Sequence, residues 1–321
     1  MTRLPRLRPM ADDRQTPADR FDGPWAGDVT FARCARRDDP TGADVAVLGI
    51  PFDLGTTNRP GARFGPRAVR EQSLLAGIYP WGLWPWETNP MLTRVVIDAG
   101  DVTASFFWAG YPERMLAAAY EHASRFVSCG VSVLGLGGDH LVSYPLLRAT
   151  ASKHGALSLV HFDSHTDTWN MGDDFNHGTG FRHAAVDGLV DPERSVQVGI
   201  RTPNPDTMGF NIIDADRLHD IGVGAAIDAI RTIVGDRAVY VTFDIDFLDP
   251  AYAPGTGTPV VGGFTTAQAR RLLRGLAGLH IVGADVVEVA PAHDPTGDIT
   301  ALAGATLALD LVHLLSLAPA R

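Results

Sequence analysis

Short apolar runs alternate with longer segments of helical periodicity along most of this 321-residue chain. The runs are rich in valine, isoleucine and leucine, a pattern typical of a parallel sheet covered by helices on both faces. It predicts a three-layer α/β/α fold around a mostly parallel central sheet. The predicted strands are 45–50, 94–100, 131–137, 157–163, 195–200, 238–246 and 280–289, and the predicted helices lie near 112–129, 143–153, 223–234, 265–277 and 300–317.

The sequence indicates a single domain. No Pro/Ser-rich linker or run of charge interrupts residues 40–318. We therefore predict one large domain over 41–321, preceded by an N-terminal extension over 1–40 that is partly disordered or contacts another subunit.

Composition excludes several classes of protein. The net charge of −10 argues against a nucleic-acid-binding surface and suits a cationic ligand. Two cysteines make a disulfide framework or a cysteine-based zinc site improbable and fit a reducing compartment. The sequence shows neither a secretory h-region nor about 18 uninterrupted apolar residues. These features predict a cytoplasmic protein that does not span a membrane.

Polar residues follow four of the predicted strands, at the sheet edge where ligand sites of parallel α/β folds gather. These polar endings are "GGDH" at 137–140, "DSHTD" at 163–167, "DID" at 244–246, and Glu288. On extended backbone, alternate side chains share a side, so the acidic and histidine residues of "DSHTD" would converge, and so would the two aspartates of "DID". Ser164 and Thr166 would point the other way.

The polar strand ends predict a site for two metal ions. Four aspartates and two histidines cannot share a partly buried site without compensating cations. One ion would have more ligands than it needs, so two ions fit better. Oxygen-rich ligand sets with one imidazole each favour Mn²⁺ over Zn²⁺ and leave Ni²⁺, Co²⁺ and Fe²⁺ open.

Several segments resemble the ureohydrolase family of arginases, agmatinases and guanidino-acid hydrolases. They are "GGDH", "HFDSHTD", "HGTGF", "FDIDFLDPAYAPGTGTP" and "VVEVAPAHD", in the family's order between about residues 45 and 315. Ser164 stands where the family usually has alanine. The resemblance implies a three-layer α/β/α domain, a binuclear manganese centre and a homotrimer or homohexamer.

The resemblance also implies which residues hold the metals. The ligands of one ion would be His140, Asp163, Asp167 and Asp244, and those of the other Asp163, His165, Asp244 and Asp246. Asp163 and Asp244 would bridge the two ions.

The reaction that the resemblance implies is hydrolysis of a guanidino compound to urea and an amine. Asp167 would accept the proton of a hydroxide nucleophile, and Glu288 would grip the guanidinium through two parallel hydrogen bonds. His177, in a glycine-rich loop where its ring can move, would protonate the leaving amine. His161 and His183 are expected to be structural.

Two parts of the chain favour different substrates. The segment "HFDSHTDTW" and the later motifs look most like bacterial agmatinases. The segments "GTTNRPGARFGP" (55–66) and "FRHA" (181–184) look more like hydrolases of 4-guanidinobutyrate or 3-guanidinopropionate. Our prediction is agmatine, cleaved to putrescine and urea, with a guanidino acid as the alternative. Arginase activity is less expected because Trp169 replaces the asparagine associated with recognition of an amino acid.

The residues expected near the substrate tail are compatible with both agmatine and a guanidino acid. Aromatic and acidic groups suit an ammonium tail, whereas arginines suit a carboxylate tail. The predicted tail contacts are Trp169, Asn170, Asp173 and Arg182, with Asp174, Arg59 and Arg63 as further charges in the same region. A single-zinc deacetylase of related fold and a non-catalytic binding protein are the remaining alternatives, and the complete set of metal residues argues against both.

Overall fold

The computed structural model describes residues 25–75, 85–86, 89–102, 110–172, 174–295 and 297–318. Within these ranges the strands, β1 to β9 in chain order, are Ala35–Arg36, Val45–Ile50, Val96–Asp101, Ser132–Gly137, Ser158–Phe162, Val196–Val198, Asn211–Ile213, Val239–Asp244 and Ile281–Val287. The α-helices, α1 to α8, are Gly65–Ser73, Pro90–Thr93, Pro112–Ser128, Ser143–His154, Gly180–Val186, Ala215–Val234, Thr266–Gly275 and Ile299–Leu317.

The strands form one parallel sheet in the order β1-β3-β2-β4-β9-β8-β5-β6-β7. Side chains of β2 alternate between the two faces of this sheet. Val45 and Val47 join the core that packs against α1, α6, α7 and α8. Ala46, Leu48 and Ile50 join the opposite core, which packs against α3, α4 and α5. The predicted three-layer, single-domain fold is confirmed.

The predicted strands all occur, and their ends shift by a few residues at most. The last residues of predicted strands 157–163 and 238–246 leave the sheet, because the chain bends there to form the site. Sequence reasoning missed β1 and β7, which lie at the two edges of the sheet and have only two and three residues. Strands this short carry too little hydrophobic pattern to be recognised.

Some residues of the predicted N-terminal extension, 1–40, pack against the sheet, and the boundary at residue 41 stays a prediction. Phe31 is fully buried, and its N–H donates to Asp98 Oδ2 at 2.7 Å. β1 then pairs with β3 at the sheet edge. The part of the prediction that concerns disorder in the first twenty or so residues lies outside the described residues.

Helix α6 starts earlier than predicted. Asp214 caps its first turn by accepting a hydrogen bond from Arg217 N at 2.8 Å. Gly222 interrupts the helix with a φ of 75°. The predicted start at 223 therefore marks the segment after this break, because glycine tolerates the left-handed backbone that ends a regular turn.

Helix α8 is long and apolar enough to cross a membrane by composition, with a mean hydropathy of 1.6. However, 83% of that stretch is buried inside the protein. Its Asp310 accepts hydrogen bonds from Arg270 at 2.7 Å and from Trp86 Nε1 at 2.6 Å. A helix that is apolar on every side and covered by its own domain is a core helix.

Four neighbouring strands at the centre of the sheet, in the order β4-β9-β8-β5, carry all the predicted polar strand ends. The chain passes from β4 to β5 first and fills the gap with β8 and β9 later. This order creates a crevice at the carboxyl ends of the central strands, which is where parallel α/β sheets bind ligands. The topology therefore brings together segments that are more than 100 residues apart in the chain.

Candidate active site

The "DSHTD" segment converges through a bend and not through strand alternation. β5 ends at Phe162, and His165 N–H donates to Asp163 Oδ1 at 2.6 Å. Asp167 adopts a left-handed backbone with a φ of 51°. The expectation of an extended segment is wrong here. The bend turns Ser164 toward the site as well, and its hydroxyl donates to Asp246 Oδ1 at 2.7 Å.

The "DID" segment also bends. Asp244 ends β8 and caps the short 3₁₀ turn Ile245–Phe247, accepting a hydrogen bond from Asp246 N at 2.8 Å. Arg201 holds the same turn from behind, donating to Asp246 O at 2.6 Å. Because the turn pulls the backbone inward, both aspartates reach the site although they do not share one side of a strand.

His140 lies at the centre of the first group of ligands. Its Nδ1 is 3.0 Å from Asp163 Oδ2, 2.9 Å from Asp167 Oδ2 and 3.2 Å from Asp244 Oδ2. All four side chains are buried. Burial lowers the pKa of His140, but hydrogen bonds with the three carboxylates raise it to well above the usual range. The group thus requires positive charge at its centre.

A metal ion fits this requirement better than a proton. The Thr242 hydroxyl donates its one hydrogen to Asp285 Oδ1 at 2.5 Å, so it accepts the hydrogen of His140 Nε2 at 2.8 Å. In neutral His140 the Nδ1 lone pair then faces three carboxylates. That arrangement is stable only around a cation, and a histidine held through its other nitrogen is typical of metal ligands.

The second group consists of Asp163, His165 and Asp246. His165 Nδ1 is 3.1 Å from Asp246 Oδ2 and 3.4 Å from Asp163 Oδ1. Burial and neighbouring carboxylates raise the pKa of Asp246 and of Asp244. Asp163 belongs to both groups of potential ligands, as the bridging role assigned to it requires.

His161 also lies against the first group, a contact that sequence reasoning missed. Gln197 Nε2 donates to Thr166 O at 2.6 Å and lies 3.0 Å from His161 Nδ1. Because an amide nitrogen only donates, His161 Nδ1 accepts and its hydrogen is on Nε2, 2.7 Å from Asp163 Oδ2. His161 therefore orients Asp163. His183, in contrast, stacks on Phe175 away from the metal groups.

Glu288 follows β9 with a left-handed φ of 63°, which turns its side chain into the crevice. Its Oε1 accepts hydrogen bonds from His140 N at 3.0 Å and His177 Nδ1 at 2.8 Å. Its Oε2 is buried and has no hydrogen-bond partner among the described residues. This oxygen faces Gly257. A Cβ atom built on that glycine would lie 3.5 Å from Glu288 Oε2. Oε2 is thus available to a guanidinium, and the pair of parallel hydrogen bonds expected from the resemblance stays a prediction.

His177 is held on both sides of its ring. Besides the bond to Glu288, its Nε2 lies 2.7 Å from Thr57 Oγ1 and accepts from Thr57 N at 3.2 Å. Burial lowers the pKa of His177, but the hydrogen bond and charge of Glu288, with Asp167 and Asp139, raise it to about 9. These contacts hold the ring in one position and favour its protonated form, and its role as the proton donor stays a prediction.

A cavity of about 420 Å³ opens onto both groups of ligands. Its lining residues are Thr57, His165, Asp167, Trp169, Met171, Asn176, His177, Gly178, Asp244 and Thr258. Trp169 and Met171 are 44% and 55% exposed, which places them at the mouth. Of the predicted tail contacts that the structure describes, only Trp169 lines this cavity, and no sequence signal distinguished Thr57 or Met171 in advance.

Two of the predicted tail contacts take other roles. Arg182 Nη1 donates to Asp206 Oδ2 at 2.8 Å, outside the cavity lining. Asn170 Oδ1 accepts from Gly172 N at 3.3 Å within its own loop. The role of either side chain in contacting the substrate stays a prediction. Asp173 lies outside the described residues.

The arginines of the "GTTNRPGARFGP" segment are also engaged. Arg59 donates to the carbonyl oxygens of Thr256 at 2.8 Å and Gly257 at 3.3 Å. Arg63 forms an ion pair with Asp53 at 2.5 Å. These contacts fix loops around the cavity. Neither arginine is placed to receive a carboxylate tail.

Comparison with known proteins agrees with this geometry. The model of the arginase family matches residues 43–313. An agmatinase of Chromobacterium violaceum is 50% identical over 295 residues, which cover 91% of this chain and 89% of that protein. The crystal structure of a hypothetical agmatinase from Burkholderia thailandensis superposes with a TM-score of 0.87, at 48% identity and 92% coverage of each chain.

A second solved structure differs in its named substrate. Proclavaminate amidino hydrolase from Streptomyces clavuligerus superposes with a TM-score of 0.86 at 38% identity, covering 92% of this chain and 100% of that one. The metal groups, the strand topology and the match over most of the sequence agree: the chain belongs to the arginase family.

Proposed function

We propose that this protein hydrolyses agmatine to putrescine and urea at a centre of two divalent metal ions. The observation that carries the proposal is the buried, unpartnered Oε2 of Glu288 beside two groups of metal ligands. A buried carboxylate oxygen without a donor calls for a cationic partner. The agmatinases at 48–50% identity support agmatine as the source of that cation.

The proposed metal ligands are six side chains on three strand ends. They are His140, Asp163, His165, Asp167, Asp244 and Asp246. We propose Mn²⁺ because carboxylate oxygens dominate both groups, with Ni²⁺ or Co²⁺ as alternatives. When bound, such ions lower the pKa of a water molecule so that it becomes a nucleophile near neutral pH.

Glu288 would hold the guanidinium through Oε2 and offset its charge next to the metal groups. Its Oε1 is already occupied by His140 N and His177 Nδ1, so the carboxylate cannot rotate. This rigidity presents the central carbon of the substrate in one orientation. The hydrogen bond to Oε2 would be charge-assisted, which strengthens it.

Asp167 and His177 would handle the protons. Asp167 lies in the metal group and also lines the cavity, so it can accept the proton that the attacking water loses. His177 would be the source of the proton that reaches the leaving nitrogen as the C–N bond breaks. Its contact with Glu288 keeps the ring hydrogen at Nδ1 beside the guanidinium site.

The mouth of the cavity favours a cationic tail over a carboxylate tail. Trp169 presents an exposed aromatic ring there, and an ammonium over such a ring is stabilised by about 0.5–2 kcal/mol. Arg59, Arg63 and Arg182 are engaged elsewhere. We therefore propose that Trp169 receives the alkyl-ammonium end of agmatine. A guanidino acid is the second candidate substrate, supported by the 38% identity to proclavaminate amidino hydrolase.

The decisive experiment measures urea release from agmatine, 4-guanidinobutyrate, 3-guanidinopropionate, arginine and free guanidine with the full chain loaded with Mn²⁺. We expect agmatine to have the highest kcat/KM. A guanidino acid that exceeded agmatine by about tenfold, or ~1.4 kcal/mol, would overturn the choice of substrate but not the ureohydrolase class. Absence of urea from every compound would overturn the proposed function itself.

We also propose a cytoplasmic homotrimer or homohexamer. The two cysteines of the sequence, Cys34 and Cys129, are not joined in a disulfide, which suits a reducing compartment. Large apolar side chains that a monomer would leave in water include Phe64, Ile299 and Leu302, exposed by 59%, 44% and 46%. Light scattering coupled to size-exclusion chromatography tests the assembly, and a monomeric mass would contradict it.

A further inference from the structure

Thr57 is the one residue of the "GTTNRPG" loop that touches the ring of His177 among the described contacts. Its hydroxyl lies 2.7 Å from His177 Nε2, and its N–H donates to the same nitrogen at 3.2 Å. The side chain is exposed and lines the cavity. Thr57 therefore contacts the proposed proton donor and borders the same cavity.

The loop that carries Thr57 is fixed at several points. Gly55 N donates to Asp139 Oδ2 at 2.6 Å, and Gly55 O accepts from His177 N at 3.0 Å. Asn58 Nδ2 donates to Gly257 O at 2.9 Å, next to the free oxygen of Glu288. These contacts fix the position of the Thr57 hydroxyl relative to both the imidazole and the guanidinium site. Its contact with His177 is therefore a consequence of the loop's structure and not of chance.

The two contacts at Nε2 correspond to two protonation states of the ring. When Nε2 is unprotonated, it accepts from the N–H and the hydroxyl of Thr57. When Nε2 carries a hydrogen, it donates to Thr57 Oγ1, and the hydroxyl hydrogen turns away toward the cavity. The hydroxyl can therefore accept a proton from the ring while it donates its own to a group in the cavity.

We propose that Thr57 relays the proton from His177 to the leaving amine. In this step the C–N bond of the tetrahedral intermediate breaks and its electron pair goes to the amine nitrogen. That nitrogen takes the hydroxyl hydrogen of Thr57, and Thr57 Oγ1 takes the Nε2 hydrogen of His177. The ring is left neutral with its hydrogen on Nδ1 toward Glu288, and a proton from bulk water restores it after the products leave.

The relay rests on the proposed hydrolysis of a guanidino compound, and three variants of the full Mn²⁺-loaded chain test it. Thr57→Val keeps the shape of the side chain and removes the hydroxyl, whereas Thr57→Ser keeps the hydroxyl. Thr56→Val makes the same change one residue earlier, at a hydroxyl with no hydrogen-bond partner among the described residues. The measurements are kcat and KM for urea release from agmatine, with metal content and thermal unfolding as controls.

We expect Thr57→Val to lower kcat by about 100-fold with KM changed by less than about threefold, the signature of lost proton transfer. Thr57→Ser should restore kcat to within about fivefold of the wild type, and Thr56→Val should leave it within about twofold. The relay is overturned if Thr57→Val keeps kcat within about twofold, or if Thr57→Ser loses as much as Thr57→Val. A wild-type chain that releases no urea would instead overturn the proposed function, and the relay with it.

Discussion

The inner end of the cavity and its mouth are built in different ways. The inner end consists mostly of buried side chains that follow four neighbouring strands, where the sheet and the bends after its strands set their positions. The mouth consists of exposed loop residues, including Trp169 and Met171. Chemistry that requires fixed distances is placed on the sheet, and selectivity for the substrate tail is placed on loops that can vary.

The two regions also differ in charge. At the inner end, burial and neighbouring carboxylates raise the pKa of Asp244 and Asp246. At the mouth, the nearby arginines Arg59 and Arg182 are turned toward other partners, the first to backbone carbonyls and the second to Asp206. The inner end therefore demands metal ions, whereas the mouth imposes only a weak preference between tails. Substitutions in the two regions should differ in size accordingly.

The largest effect is expected from Asp163→Asn at the inner end. Asp163 belongs to both groups of metal ligands, so loss of its charge weakens both. We expect metal affinity to fall by at least about 100-fold and urea release by at least about 1,000-fold. Calorimetric titration with Mn²⁺ measures the affinity. Asp206→Asn is the matched control at an exposed position, and equal metal affinity of the two variants would show that Asp163 is not a ligand.

An effect of intermediate size is expected from Glu288→Gln. The amide keeps the shape but removes the charge that would hold the guanidinium, so kcat/KM for agmatine should fall by about 30-fold or more, equivalent to ~2 kcal/mol. Bound metal should remain at the wild-type level, unlike in Asp163→Asn. The control is Glu71→Gln on α1, whose partner is the exposed Arg67. Loss of metal in Glu288→Gln would make Glu288 part of the metal centre instead.

The smallest effects are expected at the mouth. Trp169→Ala should raise KM for agmatine by roughly 2- to 30-fold, the equivalent of ~0.5–2 kcal/mol for a cation over an aromatic ring. Arg182→Ala should change KM by less than about twofold, because Arg182 pairs with Asp206 and not with the substrate. Steady-state kinetics with agmatine measure the KM of each variant. A larger change in Arg182→Ala would restore the tail role first expected for that residue.

Regular strands and helices are the part of the fold that could be read from hydrophobic periodicity. The bounds predicted for strand β2 agree with the observed ones. A short run of this kind, here six buried residues, is typical of a strand inside a parallel sheet. The short edge strands β1 and β7 and the break at Gly222 depend on neighbours that are distant in sequence. Their patterns are too short or too ambiguous for local preference to decide.

Within the site, residue identity was predictable and geometry was not. His140, Asp163, His165, Asp244 and Asp246 were expected at the metal centre from composition at strand ends, and they do converge. The extended backbone assumed for them is replaced by bends. The supporting contacts of Thr242, Asp285, Gln197 and His161 went unnoticed because buried polar residues within strands look like ordinary strand residues until their partners are known.

The sequence by itself determined the layered fold, the family and the presence of a candidate metal site, because these depend on residue type and on order along the chain. Only the tertiary structure decided which oxygen of Glu288 is free, which arginines are engaged, and that Thr57 touches His177, 120 residues away in sequence. Hydrogen bonds require partners within about 3 Å and in the right direction. That proximity arises when the strands take their places in the sheet, and no local pattern in the chain encodes it.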